Sequence, residues 1–267
     1  MSFWDVLEPR YRLILCDVWG VVHDGVRLYP GASERLTRWR GEGRCVVLLT
    51  NAPRPSDAVE RQLAGIGLPR SAYDYVATSG EAGIEALLAL GRPVGFIGNE
   101  ADREILEGRG VAIAANGDFA DLACTGIAEG KPQVGDYRPE LQRLVDRDIN
   151  LHCLNPDRMV VRGGVQEACA GAIADIYTAL GGRVTWYGKP YPAIYSHALQ
   201  LAGDPPSDQI LAVGDGLQTD VLGAARMGFD MVFVTGGIHG GEPFPVDFAA
   251  ENGLGAWHPI AVVAGLA

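Results

Sequence analysis

The stretch Leu13-Ile14-Leu15-Cys16-Asp17-Val18-Trp19-Gly20 decides the fold. Four consecutive apolar residues are typical of a strand that is buried on both faces of a parallel sheet. Sheets of that kind bind ligands at the carboxyl ends of their strands, so the carboxylate at position 17 is expected at the mouth of a site. The glycine at position 20 allows a sharp turn there. A helix N-cap is the other common setting for an aspartate, and this stretch taken alone leaves both interpretations open.

Three later segments repeat the same pattern of an apolar run followed at once by small and polar residues. They are 45–49 before Thr50-Asn51, 184–187 before Gly188-Lys189, and 210–213 before Gly214-Asp215, with Asp220 five residues further on. Each polar residue has an ordinary interpretation as a turn residue, a helix cap or a surface lysine. Their shared position at strand ends, in the order carboxylate, hydroxyl, ammonium and paired carboxylates, favours one common site.

In that order the four segments resemble the motifs of the haloacid dehalogenase superfamily. The resemblance extends to its class IIA branch, which is nitrophenylphosphatase-like, and covers about residues 13–237. The motifs that carry the narrower resemblance are Asp24-Gly25, Thr50-Asn51, Thr78-Ser79, Asn155-Pro156-Asp157 and Gly188-Lys189-Pro190. The resemblance implies a phosphatase that acts on a small phosphorylated metabolite.

The resemblance also implies catalytic roles. Asp17 attacks phosphorus to give an aspartyl-phosphate, which water then cleaves. Thr50 hydrogen-bonds a phosphoryl oxygen, helped by the backbone at Asn51 and the helix that begins nearby. Lys189 supplies positive charge and orients Asp17. Phosphoryl transfer depends mainly on such positioning and charge neutralisation.

The implied cofactor is Mg²⁺, which prefers carboxylate and water oxygens. A cation is needed because the carboxylate and the phosphoryl group are both anionic. The implied ligands are Asp17, the backbone carbonyl of Trp19 and Asp215, with Asp220 either a direct ligand or directly behind one.

Trp19 departs from the family pattern. Most phosphatases of the superfamily carry a second aspartate at this position, which protonates the leaving group and activates water. An indole N–H only donates, so the sequence loses a proton transfer commonly worth about 10²–10⁴-fold in rate. His23 and Asp24 are the nearest substitutes, although a loop histidine or a partly exposed one is the favoured interpretation of His23.

Three alternatives to an ordinary alkyl phosphatase follow from Trp19. One is a weak or inactive protein that binds a phosphometabolite as a sensor or scaffold. Another is an enzyme for aryl or acyl phosphates, whose leaving groups need little protonation. The third is a dehalogenase-like hydrolase, since 2-haloacid dehalogenases carry a tyrosine at this position. The paired aspartates 215 and 220 favour metal and phosphate over dehalogenation.

Strands and helices alternate along the chain, which predicts an α/β fold. We expect a Rossmann-like, doubly wound parallel sheet as the core, formed by residues 1–91 and 185–267. Residues 92–184 separate the second and third motifs and are predicted to form an inserted α/β cap of the C2 type that selects the substrate. Within it, a helix is predicted from about 165 to 180, Asn155-Pro156-Asp157 either faces the core or forms a turn, and Gly163-Gly164 forms a hinge or a phosphate-binding loop.

The composition limits partners and location. The 267 residues are 48% hydrophobic and 21% charged, as in a soluble globular protein. No apolar segment approaches the roughly 20 residues of a membrane span, no signal peptide is evident, and five cysteines without metal-ligand spacing indicate a reduced, cytoplasmic protein. The net charge of −11 argues against nucleic acid. A homodimer is left open.

Overall fold

The computed structural model describes residues 2–162, 165–237 and 241–267. The chain divides into two compact units, the first formed by Met1–Thr50, Asp57–Ala77 and Lys189–Ala267, the second by Asn51–Ser56 and Thr78–Gly188. The predicted cap, residues 92–184, falls within the second unit, and its role and boundaries stay a prediction. The prediction for Gly163-Gly164 lies outside the described residues.

The strands of the described chain are short and mostly apolar. In chain order they are β1 (Leu13–Asp17), β2 (Cys45–Thr50), β3 (Tyr75–Thr78), β4 (Gly95–Ile97), β5 (Asp121–Cys124), β6 (Asn150–Cys153), β7 (Met159–Arg162), β8 (Val165–Ala168), β9 (Arg183–Trp186), β10 (Ile210–Gly214), β11 (Asp230–Val234) and β12 (Ala261–Val263).

Helices connect these strands. They are α1 (Ala32–Gly41), α2 (Ser56–Gly65), α3 (Ser79–Ala89), α4 (Glu100–Gly108), α5 (Arg138–Val145), α6 (Ala170–Ala179), α7 (Pro192–Leu201), α8 (Leu222–Met227) and α9 (Phe248–Glu251), with a π-helical turn at Leu217–Val221 before α8. None of the described helices combines the length and apolar character that crossing a membrane requires.

A six-stranded sheet in the order β12-β11-β10-β1-β2-β3 organises the first unit. Strand β1 lies near its centre and pairs in parallel with β10 on one side and β2 on the other. All five residues of β1 are buried, as expected for a strand covered on both faces. The predicted α/β fold with a parallel sheet is confirmed.

The second unit contains a parallel four-stranded sheet in the order β4-β5-β6-β9, and β7 and β8 form an antiparallel hairpin. Its core joins the sheet to α5 and α6 through side chains such as Leu122, Leu151 and Ile173. The predicted helix from about 165 is wrong at its start. Residues 165–168 are strand β8, and α6 begins at Ala170, because the hairpin partner β7 supplies the hydrogen bonds that a helix would have formed internally.

Replacement of Leu15 by alanine tests the packing of β1. Leu15 is 1% exposed and belongs to the core of the first unit, so Leu15→Ala is expected to reduce the free energy of unfolding by about 2–5 kcal/mol. Urea denaturation followed by circular dichroism measures this. Val262→Ala, on edge strand β12 where the side chain is 47% exposed, is the matched control and should cost less than half as much. Equal losses would contradict the central placement of β1.

Candidate active site

The carboxyl edge of the first unit's sheet collects the polar residues that follow its apolar strands. Asp17 ends β1, Thr50 ends β2, and Asp215 directly follows β10. Asp17 pairs in register with Leu49, so Thr50 extends one residue beyond it at the same edge. Parallel strands place their carboxyl ends together, and the sheet therefore gathers residues that are far apart in the sequence.

Lys189 is the centre of this cluster. Its Nζ donates to Asp17 Oδ1 at 2.5 Å, to Asp220 Oδ1 at 2.7 Å and to the backbone carbonyl of Leu49 at 3.2 Å. An ammonium has three N–H groups, and each of them has an acceptor here. The side chain is 3% exposed, so the interpretation of Lys189 as a surface lysine is wrong.

Asp220 is held from its own turn. It lies in the π-helical turn Leu217–Val221, and its Oδ2 accepts the backbone N–H of Gly216 at 3.1 Å and the hydroxyl of Thr219 at 3.2 Å. These bonds, together with the Lys189 contact on Oδ1, fix both carboxylate oxygens.

The Asp215 carboxylate packs closely against the backbone at two glycines, Gly20 and Gly237. A Cβ atom at Gly20 or at Gly237 would overlap its Oδ2. Gly20 also has a φ of +90°, a conformation that favours glycine. Glycine at both positions lets two backbone segments approach this carboxylate. Sequence reasoning missed Gly237, for which the signal was the glycine pair 236–237 shortly after an apolar strand.

Burial and charge act together on the cluster. Burial raises the pKa of Asp17 to about 7, with Asp215 adding to the rise and Lys189 opposing it. Burial likewise raises the pKa of Asp220 to about 6, Asp17 adding and Lys189 opposing. Burial disfavours the charged form of Lys189, yet attraction to Asp17 and Asp220 lifts its pKa above the ordinary value. Lys189 contacts two of the three clustered carboxylates, so negative groups outnumber the positive one in the cluster.

The donor set fits a hard divalent cation. Asp17, Asp215 and Asp220 are buried, and each offers an oxygen within 4.8 Å of the others. The backbone carbonyl of Trp19 accepts no hydrogen bond from the described residues, whereas that of Val18 accepts two. Carboxylate and carbonyl oxygens are the ligands that Mg²⁺ and Ca²⁺ take in proteins. That these residues bind metal stays a prediction.

The loop after β1 fixes the Trp19 ring. The half-buried indole meets the His23 ring edge to face, with centroids 5.3 Å apart. Gly25, with a φ of +93°, lies so close behind the indole that a Cβ would overlap it. The ring is therefore held from two sides by its own loop.

His23 and Asp24, the two residues considered above as proton-transfer groups, are engaged within this loop. His23 lies in the loop after β1, which agrees with one of its two expected settings, but it is only 2% exposed, because the Trp19 ring packs on it. Its Nδ1 accepts the Gly25 N–H at 2.8 Å, and burial lowers its pKa. Asp24 accepts the backbone N–H groups of Val26 and Arg27, each at 2.9 Å.

Asn51 belongs to the second unit. Its side-chain amide donates to Asp157 Oδ1 at 2.8 Å, and the Asp157 backbone N–H donates to Asn155 Oδ1 at 3.1 Å. The bond from the Asp157 N–H to the Asn155 side chain is of the kind found in Asx turns, and the two interpretations of Asn155-Pro156-Asp157 stay predictions. The roles of Thr50 and Asn51 at phosphate stay predictions.

Comparison with known proteins places the chain in a family. The haloacid dehalogenase-like hydrolase family matches residues 14–112, and a second family, HAD-hydrolase-like, matches residues 186–252. The ribonucleotide monophosphatase NagD of Escherichia coli K12 is 30% identical over 232 residues, which cover 84% of this chain and 88% of NagD. The chain belongs to the haloacid dehalogenase-like hydrolases. Its relative NagD is a phosphatase by name.

Two solved structures of similar fold agree with this family assignment. A hydrolase of the haloacid dehalogenase-like family from Brucella suis 1330 is 37% identical, covers 98% of both chains and superposes with a TM-score of 0.85. A glycerol phosphate phosphatase from Mycobacterium tuberculosis, solved in complex with magnesium, shares the fold at 23% identity and a TM-score of 0.69, covering 85% of this chain and 69% of its own.

Replacement of Gly237 by alanine tests whether the position of the Asp215 carboxylate matters for metal binding. The new Cβ would displace the Asp215 carboxylate, so Gly237→Ala should weaken Mg²⁺ binding about 10–100-fold, as disturbing the support of a ligand commonly does. Isothermal titration calorimetry with MgCl₂ measures this. Gly41→Ala is the control, since a Cβ there would meet nothing within 4 Å. Unchanged binding in both variants would show that Asp215 does not hold metal in this position.

Proposed function

We propose that this protein is a Mg²⁺-dependent phosphatase that hydrolyses a small phosphorylated metabolite through an aspartyl-phosphate at Asp17. One observation carries the proposal. The Asp17 carboxylate is buried at the carboxyl edge of the sheet, held by Lys189 and within 4.8 Å of the oxygens of Asp215 and Asp220. A buried, oriented carboxylate beside further ligands is what attack on phosphorus requires.

Lys189 prepares Asp17 for this attack. Its ammonium fixes the carboxylate through Oδ1 and favours the charged form, which is the nucleophile. A carboxylate oxygen then bonds to phosphorus as the bond to the leaving oxygen breaks. Water afterwards cleaves the acyl phosphate and regenerates Asp17.

The same cluster explains the need for a cation. Asp17, the Trp19 carbonyl and Asp215 are the proposed ligands, with Asp220 alongside. Bound Mg²⁺ would supply the positive charge that allows an anionic phosphoryl group to approach a carboxylate. The Mycobacterium tuberculosis enzyme, which shares the fold, was solved in complex with magnesium, and this supports magnesium as the metal.

Thr50 and Asn51 are the proposed phosphate-binding residues. Thr50 ends the strand beside β1, so its hydroxyl is carried at the same edge as Asp17. Asn51 follows it with a backbone N–H. The second unit, including the predicted cap 92–184, is proposed to select the substrate. A small phosphorylated metabolite is supported by the names of two relatives, a ribonucleotide monophosphatase and a glycerol phosphate phosphatase.

Replacement of Asp17 by asparagine should abolish turnover, because the amide cannot attack phosphorus. With p-nitrophenyl phosphate and Mg²⁺, we expect release of nitrophenolate by the unmodified protein and none above background by Asp17→Asn. Asp24→Asn, on the exposed turn after β1, is the control for loss of a nearby negative charge. Turnover that survives Asp17→Asn would refute the nucleophile. Metal-bound protein that holds phosphate esters unchanged would instead indicate a binding protein.

Removal of metal should affect stability as well as activity. Chelation with EDTA is expected to stop turnover, and added Mg²⁺ to restore it. Because Mg²⁺ binds only the folded cluster, it should also stabilise the protein by about 2.7 kcal/mol at a concentration 100 times the dissociation constant. Thermal unfolding with and without MgCl₂ measures this. Asp215→Asn should lose most of the stabilisation, and an undiminished effect there would place the metal elsewhere.

A further inference from the structure

The loop after the proposed nucleophile offers no side chain for proton transfer at the position of Trp19. Residues 18–31 are all described. Their titratable groups are His23, Asp24, Arg27 and Tyr29. The His23 Nδ1 is occupied by the Gly25 N–H, and Asp24 is occupied by the amides of its own turn and by the Arg27 guanidinium at 3.1 Å.

The Trp19 ring is packed against two residues of its own loop. Gly25 backs the indole and His23 meets it edge to face. The contribution of Trp19 to the proposed metal site is its backbone carbonyl, which any residue supplies. What the choice of residue at position 19 decides is therefore the side chain. An indole neither accepts a proton nor donates one readily at neutral pH.

We propose that Trp19 restricts this enzyme to substrates whose leaving oxygen is a weak base, namely aryl, enol and acyl phosphates. The proposal rests on the phosphatase function proposed above and names its substrate class. In the first step a carboxylate oxygen of Asp17 bonds to phosphorus, and the electron pair of the breaking P–O bond stays on the leaving oxygen. That oxygen departs as an anion, with no proton from the enzyme. Leaving groups that are strong bases, such as alkoxides, depart slowly under these conditions.

The second step, hydrolysis of the aspartyl-phosphate, also lacks a proton-transferring side chain at position 19. Water attacks phosphorus of the aspartyl-phosphate, the bond to Asp17 breaks, and its electrons return to the carboxylate. The two protons of the water leave with the product as H₂PO₄⁻, so atoms and charge balance without an enzyme base. Since no side chain of the loop 18–31 is placed to activate the water, this step should be slow, and the intermediate should accumulate when the first step is fast.

Leaving-group dependence tests the proposal. Phenyl phosphates with different ring substituents are compared in MgCl₂, together with an alkyl phosphate, glycerol 3-phosphate. One unit in the pKa of the leaving phenol changes its basicity by tenfold. We therefore expect kcat/KM to fall by up to about tenfold per unit. For the best leaving groups kcat should level off, with an initial burst of phenolate stoichiometric with enzyme.

Two matched variants isolate the effect of proton transfer by the side chain at position 19. Trp19→Asp and Trp19→Asn both remove the ring and have nearly the same shape, but only aspartate transfers a proton. Trp19→Asp should raise kcat/KM for glycerol 3-phosphate about 100-fold or more over Trp19→Asn and flatten the leaving-group dependence. Trp19→Asn should keep the steep dependence of the unmodified enzyme. Circular dichroism confirms folding, and if neither variant folds, the dependence in the unmodified enzyme decides.

A shallow dependence in the unmodified enzyme would overturn the proposal, because it would reveal an acid supplied from elsewhere. Tyr29→Phe is included as a check, and a steeper dependence in that variant would overturn it by identifying Tyr29 as the acid. Equal behaviour of Trp19→Asp and Trp19→Asn would also overturn it. These outcomes leave the phosphatase function intact. That function fails separately, if no ester in the series shows Mg²⁺-dependent turnover.

Discussion

The first unit depends on one buried ammonium. Lys189 joins the end of β1, the backbone of β2 and the turn after β10 through Asp17, Leu49 and Asp220, so a single side chain connects three segments that are distant in sequence. Burying these charges is costly, and removal of one partner leaves the others uncompensated. The cluster is compatible with the observed order, in which β1 lies between β10 and β2. The apolar strands provide the free energy that allows the cluster to be buried.

The sequence predicted this part of the molecule because its signals are local. A buried parallel strand is an apolar run, and the residue after the run must lie at the carboxyl edge, so the places of Asp17, Thr50 and Asp215 follow from pattern alone. The contacts between them do not. The bond between Lys189 and Asp220, and the fit of Gly237 against Asp215, depend on how separate segments pack. A glycine that is needed for a close approach looks in sequence like any turn glycine.

The errors have the same origin. The apolar spacing of Ile173 and Tyr177 correctly predicts α6, but residues 165–168 pair with β7 instead of extending it, and pairing across a hairpin leaves little periodic signal in four residues. His23 was expected to be a loop histidine or a partly exposed one, and it lies in the loop but is not exposed. It is buried because the Trp19 indole packs on it, a tertiary contact that no local pattern encodes. Tertiary context overrides propensity at both places.

Trp19 separates two tasks that the family resemblance assigns to a single residue. The carbonyl of this residue is backbone and survives any substitution, so the proposed metal site is insensitive to the side chain. Proton transfer resides wholly in the side chain and is lost with it. The retained carboxylates, ammonium and hydroxyl neutralise and position a phosphoryl group, which is the larger part of the barrier in such reactions. A site without this proton transfer can still transfer a phosphoryl group when the leaving oxygen is stable as an anion. The range of leaving groups therefore narrows before phosphoryl transfer itself is lost.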